Sequence, residues 1–75
     1  ENSDLQLKLF PNPSTDYIQI KNLKSTENYK VYNVLGSEVI KGQISVGEKI
    51  DVQNLSQGMY LLKLDSGETM KFLKK

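Results

Sequence analysis

The sequence predicts an all-β fold, a small immunoglobulin-like antiparallel β-sandwich of about seven strands. Apolar and polar residues alternate at period two along most of the chain, and no window gives a convincing helical period. Gly, Pro, Asn and Ser interrupt the alternating runs at the spacing expected of a sandwich or barrel. The length, 75 residues, sets one domain, of a size that buries only roughly 60% of its unfolded surface.

The first strand is expected in LQLKLF, where Leu5, Leu7 and Leu9 alternate with Gln6, Lys8 and Phe10. It runs into Pro11-Asn12-Pro13. The two prolines fix φ, remove two backbone donors and push the residues before them out of the helical region. They stop the strand and set the direction in which the chain enters the sandwich, and Asn12 can hydrogen-bond the local backbone. Proline also narrows the unfolded ensemble, by about 0.4–1 kcal/mol at each compatible position.

A second strand follows in YIQI, with Ile18 and Ile20 on one face. YKVYNVLG (29–36) and SEVIKGQ (37–43) read as a hairpin joined at Leu35-Gly36, where Gly36 supplies a positive φ. Ile50 and Val52 form a short strand after a turn at Gly47. GMYLLKLD (58–65) and ETMKFLKK (68–75) make a second hairpin around Ser66-Gly67. Residues 22–28 and 53–57 are the expected connections between sheets. The expected core is Leu7, Leu9, Ile18, Ile20, Val31, Val39, Ile50, Val52, Tyr60, Leu62, Leu64, Met70 and Phe72. The pairs Val31/Tyr32 and Val39/Ile40 stay open, because neighbours on a strand face opposite ways. The paired cysteines around a tryptophan of true immunoglobulin domains are missing.

Composition narrows the function classes. Ten basic and nine acidic residues give a net charge of +1, with no concentrated basic face of the kind nucleic acid favours. All the basic residues are lysine, giving point charges without the bidentate fork that reads planar phosphate or carboxylate; we read that bias first as the mark of an AT-rich genome, ahead of any chemical role. With no histidine and no cysteine, the common general base, the soft nucleophile and the usual zinc frameworks are absent. The acidic residues Asp16, Glu38, Glu48, Asp51, Asp65 and Glu68 are isolated on strands or turns, and Asp65-Ser66-Gly67-Glu68 reads as a turn, not a calcium loop. The glycines are turn residues, with no phosphate-cradling spacing. We therefore expect no enzyme, no cofactor, no metal and no small-molecule substrate. A first residue of Glu1 instead of Met points to a longer or processed chain.

Four elements in order carry a resemblance over residues 5–75. They are Pro11-Asn12-Pro13 before an alternating strand, the strand ending in Gly36 and continuing to Val39, the Leu55, Gly58, Tyr60 element, and the closing pattern Lys71 to Lys74. Together they resemble the C-terminal sorting domain (type A) of type IX secretion cargo in Bacteroidetes. Departures are mild: Asn33 and Val34 stand where that family often has an acidic residue, and Met59 and Leu73 replace commoner valine or isoleucine.

The resemblance implies an immunoglobulin-like sandwich that acts as an address. The attached cargo folds in the periplasm, is led through the outer-membrane translocon with its shuttle components, and reaches the cell surface or medium. A sortase-like surface peptidase usually removes the domain. Residues 1–4 then read as a linker to upstream cargo, with any cut near or before them. For recognition we expect the C-terminal hairpin to be read as an edge strand, through Gly58, Tyr60, Lys71, Phe72, Leu73, Lys74 and Lys75, while Pro11, Asn12, Pro13 and Gly36 are structural. Two other readings compete. One is a non-catalytic adhesion or carbohydrate-binding module, using surface Tyr17, Tyr29 and Tyr32 to stack on sugar rings. The other is a fibronectin-like spacer, which requires more chain after Lys75.

Overall fold

The computed structural model describes residues 6–75, which form seven strands: β1 (Lys8–Phe10), β2 (Tyr17–Lys21), β3 (Glu27–Tyr32), β4 (Glu38–Ile44), β5 (Ile50–Asp51), β6 (Gly58–Leu64) and β7 (Thr69–Lys74). The linker at 1–4, the expected cut near it and the place of Leu5 in the first strand lie outside the described residues. The strands pair into a three-stranded sheet, order β1-β2-β5, and a four-stranded sheet, order β4-β3-β6-β7. Every strand pair is antiparallel. Non-consecutive neighbours, β2 beside β5 and β3 beside β6, mean that the chain crosses repeatedly from one layer to the other. This is the immunoglobulin-like sandwich that the alternating pattern predicts.

Alternation explains the core. Ile18 and Ile20 of β2, with Ile50 and the adjoining Val52, face Val31 of β3, Leu62 and Leu64 of β6 and Phe72 of β7. Full burial of such a side chain contributes about 1.5–3 kcal/mol, so these few positions carry much of a small domain's stability. Leu23, Ile44 and Tyr29 close the sides of the same cluster.

Two core expectations need correction. Val39, expected inside, is 40% exposed. The β3–β4 ladder pairs Tyr32 with Glu38 and Val31 with Ile40, so Val39 is the extra residue of a bulge. A bulged residue leaves the alternation, and the half-buried Ile40 takes the inward place instead. Tyr29, expected on the surface, is buried. It shares parity with Val31, and its ring lies over Gly42, which is not a turn residue as expected but sits inside β4 opposite Tyr29. The missing side chain of Gly42 leaves room for the ring, since an added Cβ would stand 3.0 Å from Tyr29 Oη. Leu7, Leu9 and Met70 pack against the cluster while remaining half-buried.

The Leu35-Gly36 turn forms as expected. Gly36 has φ +84°, and the side-chain oxygen of Asn33 accepts the backbone N–H groups of Leu35 and Ser37, each at 3.0 Å. The turn leaves Val34 and Leu35 at its tip, 78% and 86% exposed.

Candidate functional site

The Pro11-Asn12-Pro13 corner explains itself through what it reaches. Both peptide bonds into the prolines are cis. The corner ends β1 in the three-stranded sheet and delivers Ser14 to the outer edge of β7, in the other sheet, where Ser14 and Lys74 form a parallel bridge. Ser14 N–H donates to the Leu73 carbonyl at 2.8 Å, and Lys75 N–H donates to the Ser14 carbonyl at 2.8 Å. Ser14 Oγ also donates to the Leu73 carbonyl at 3.2 Å, and Leu73 N–H donates to Asn12 Oδ1 at 3.0 Å. Asn12 therefore bonds the last strand instead of the local backbone. The corner and the last strand are one structural unit, held by four hydrogen bonds around the buried Ser14.

The Leu55, Gly58, Tyr60 element is a tyrosine corner, in which a tyrosine early in a strand bonds backbone just upstream. Gly58, half-buried with φ +150°, opens β6. Two residues later the Tyr60 hydroxyl donates to the Ser56 carbonyl at 2.6 Å. Leu55 N–H donates to the Val52 carbonyl at 3.1 Å, and the Leu55 side chain packs against the core. The ring of Tyr60 stacks on Phe72, with centroids 5.5 Å apart and planes 21° from parallel. Such a pair adds about 0.5–1.5 kcal/mol beyond area burial.

Strand parity divides the expected recognition residues in two. Tyr60, Phe72 and Lys74 point inward, and Phe72 is fully buried. Lys74 is 7% exposed, and its ammonium donates to the Lys75 carbonyl at 3.3 Å. A long cationic side chain can bury its stem while its ammonium keeps a polar partner. Lys71, Leu73 and Lys75 lie on the outer side and are exposed or half-exposed. The edge itself is half occupied. Leu73 and Lys75 spend backbone groups on Asn12 and Ser14, so by ladder alternation Thr69 and Lys71 are the residues of β7 whose backbone faces an open edge.

The three tyrosines of the sugar-binding reading do not share a face. Tyr29 is interior, and burial pushes its phenol above the ordinary tyrosine value. Tyr17 belongs to the three-stranded sheet, with Lys49 Nζ 4.3 Å above its ring centroid, while Tyr32 belongs to the other sheet. Among the described residues, no group of three or more acidic side chains stands close enough to hold a metal ion. The sequence missed the partnership of Asn12 and Ser14 with β7, which no local pattern signals.

A family model described as "Secretion system C-terminal sorting domain" matches residues 8–75. Beta-agarase D of Zobellia galactanivorans is 34% identical over 68 residues, covering 88% of this chain and 14% of that protein. The chain thus spans about one seventh of the length of this curated relative. No solved structure matches this chain significantly.

Proposed function

This chain belongs to the secretion system C-terminal sorting domain family, and on that footing we propose that its address is the surface that β7 and the corner at residues 11–14 build together. The domain is the C-terminal secretion signal of a type IX cargo protein and directs what is attached to it across the outer membrane. Such a sorting domain is not itself catalytic.

The observation that supports the reading is the wiring of the last strand to the corner. It presents Lys71, Leu73 and Lys75 outward on a rigid strand, while Tyr60, Phe72 and Gly58 set that strand's position from within. A translocon component pairs with the open stretch at Thr69 and Lys71, and the lysines add an attraction that salt weakens. In this reading residues 5–75 are the sorting domain, and the cargo folds in the periplasm and meets the translocon and its shuttle components. A sortase-like peptidase then cuts upstream of the corner, leaving the cargo at the surface or in the medium.

The test is a fusion of the 75-residue chain behind a periplasm-targeted fluorescent reporter, in a bacterium with type IX machinery. Removing residues 71–75 is a poor variant, because it deletes Phe72 from the core. Lys71→Glu with Lys75→Glu leaves the core alone. Reporter in the medium from the parent fusion, and several-fold less from the double variant with folding unchanged, supports the reading. A folded parent fusion retained in the periplasm would sink it.

A further inference from the structure

The outer face of the four-stranded sheet is ordered in rows by strand register. Lys30 is the direct partner of Lys41 on one side and of Lys63 on the other, so three like charges stand in line across β4, β3 and β6. The adjacent row holds Tyr32, Leu61 and Lys71, and beyond it Met59 pairs with Leu73. Tyr32, Met59 and Leu61, with Val34 of the hairpin tip and the two lysines Lys63 and Lys71, line an open groove of 620 Å³.

Like charges placed directly opposite on a sheet cost stability. Two carboxylates share this side, and neither relieves the row. Asp65 accepts from Asn28 Nδ2 at 2.9 Å, and Glu38 stands opposite Tyr32. Among the described residues, no carboxylate lies within ion-pair distance of Lys30, Lys41, Lys63 or Lys71. Lys49 covers Tyr17 and Lys74 bonds a carbonyl. Lys8 and Lys21 also stand opposite each other across β1 and β2, but only the row on β4, β3 and β6 sets three lysines in line beside an apolar groove. Local costs of this kind are tolerated at functional sites, and here the charges stand beside a groove that can hold a side chain.

We infer that this face docks an acidic segment of a partner protein, whose carboxylates meet the row Lys41-Lys30-Lys63 while one apolar side chain enters the groove beside Tyr32, Met59 and Leu61. This rests on the export reading above, and the partner is a component of the export machinery. The row spans two strand spacings, about 10 Å. Carboxylates at alternate positions of one strand-like segment stand about 7 Å apart on one face, close enough for the flexible lysine stems of the row to meet them. The concave apolar site beside the charges is what favours a peptide segment over a lipid surface, whose headgroups need charge and no groove.

The experiment uses the reporter fusion with Lys30, Lys41 and Lys63 all changed to Gln, and separately all changed to Arg, together with melting curves of each purified chain. We expect the Gln variant to be exported at least fivefold less while melting at the same or a higher temperature, and the Arg variant to be exported like the parent. Export of the Gln variant at parental level overturns this inference and leaves the export reading standing. Loss of export together with a lowered melting temperature in the Gln variant overturns it in favour of a structural role. Retention of the parent fusion removes both. Co-sedimentation with phosphatidylglycerol vesicles but not phosphatidylcholine vesicles, abolished in the Gln variant, overturns the protein partner and assigns the face to an anionic bilayer.

Discussion

The side-chain carbonyl of Asn12 accepts the backbone N–H of Leu73 at 3.0 Å, across 61 residues of chain. This contact relates the first proline-rich corner to the last strand, and it makes Asn12 the most informative single position outside the core.

Asn12→Ala removes the acceptor and leaves the Leu73 N–H at the sheet edge without its partner. A net loss of about 1 kcal/mol is expected in urea unfolding. Asn12→Asp keeps an acceptor oxygen and is expected to fall closer to the parent. Equal midpoints for the parent and the alanine variant would mean that the bond contributes nothing to stability.

Tyr60→Phe deletes the hydroxyl that meets the Ser56 carbonyl and keeps the ring on Phe72. The expected cost is about 1–2 kcal/mol, the hydrogen bond together with the desolvated carbonyl left behind. At roughly 4–8 °C per kcal/mol for a domain of this size, thermal melting resolves it easily. Tyr60→Ala adds a cavity and is expected to cost about 3–5 kcal/mol, as much as the core of so small a domain commonly supplies. A phenylalanine variant that melts together with the parent would refute a stabilising role for the hydroxyl.

Gly36 has φ +84°, and a Cβ added there would meet no atom within 4 Å, so a substitution acts through backbone strain alone. Gly36→Ala is expected to cost about 1–2 kcal/mol, and Gly36→Asn less, since asparagine visits that region more readily. Equilibrium unfolding of the two variants side by side checks the order.

Burial raises the Tyr29 phenol above its ordinary value of 10.0. The folded chain therefore holds the Tyr29 proton more tightly than the unfolded one. Its contribution to stability is complete below the unfolded pKa and is lost as pH rises through the folded one. Stability is expected to decline above pH 10.0, and Tyr29→Phe to soften that decline while leaving neutral-pH stability nearly unchanged. A parent and variant with identical alkaline profiles would remove Tyr29 as a contributor.

The strands were legible because each is a short alternating run between turn residues, and the β6–β7 hairpin is the clearest case. The Leu35-Gly36 turn was legible because only glycine takes that φ cheaply. Val39 was not, since a bulge shifts parity without any mark in composition. Tyr29 was legible in principle: it sits two residues before Val31, and the small Gly42 opposite it on β4 leaves the space that its ring fills. Leu23 lies in a connection where no period applies, and Ile44 one residue past the expected end of its strand. The corner's stiffness was readable from Pro11 and Pro13, but its partner was not, because hydrogen bonds between residues 12–14 and 73–75 are settled by topology. For the same reason, the lysine row emerges only once β4, β3 and β6 are set side by side.

The clamp between residues 12–14 and the last strand also works as a record of completion. Leu73 and Lys75 take their arrangement from residues about 60 positions earlier, in the segment that leaves the other sheet. A chain in which that contact is not made carries the same closing residues without the hydrogen bonds that fix them. On the reading proposed above, machinery that docks on the arranged strand reads the contact between the two ends of the domain in the act of recognising it.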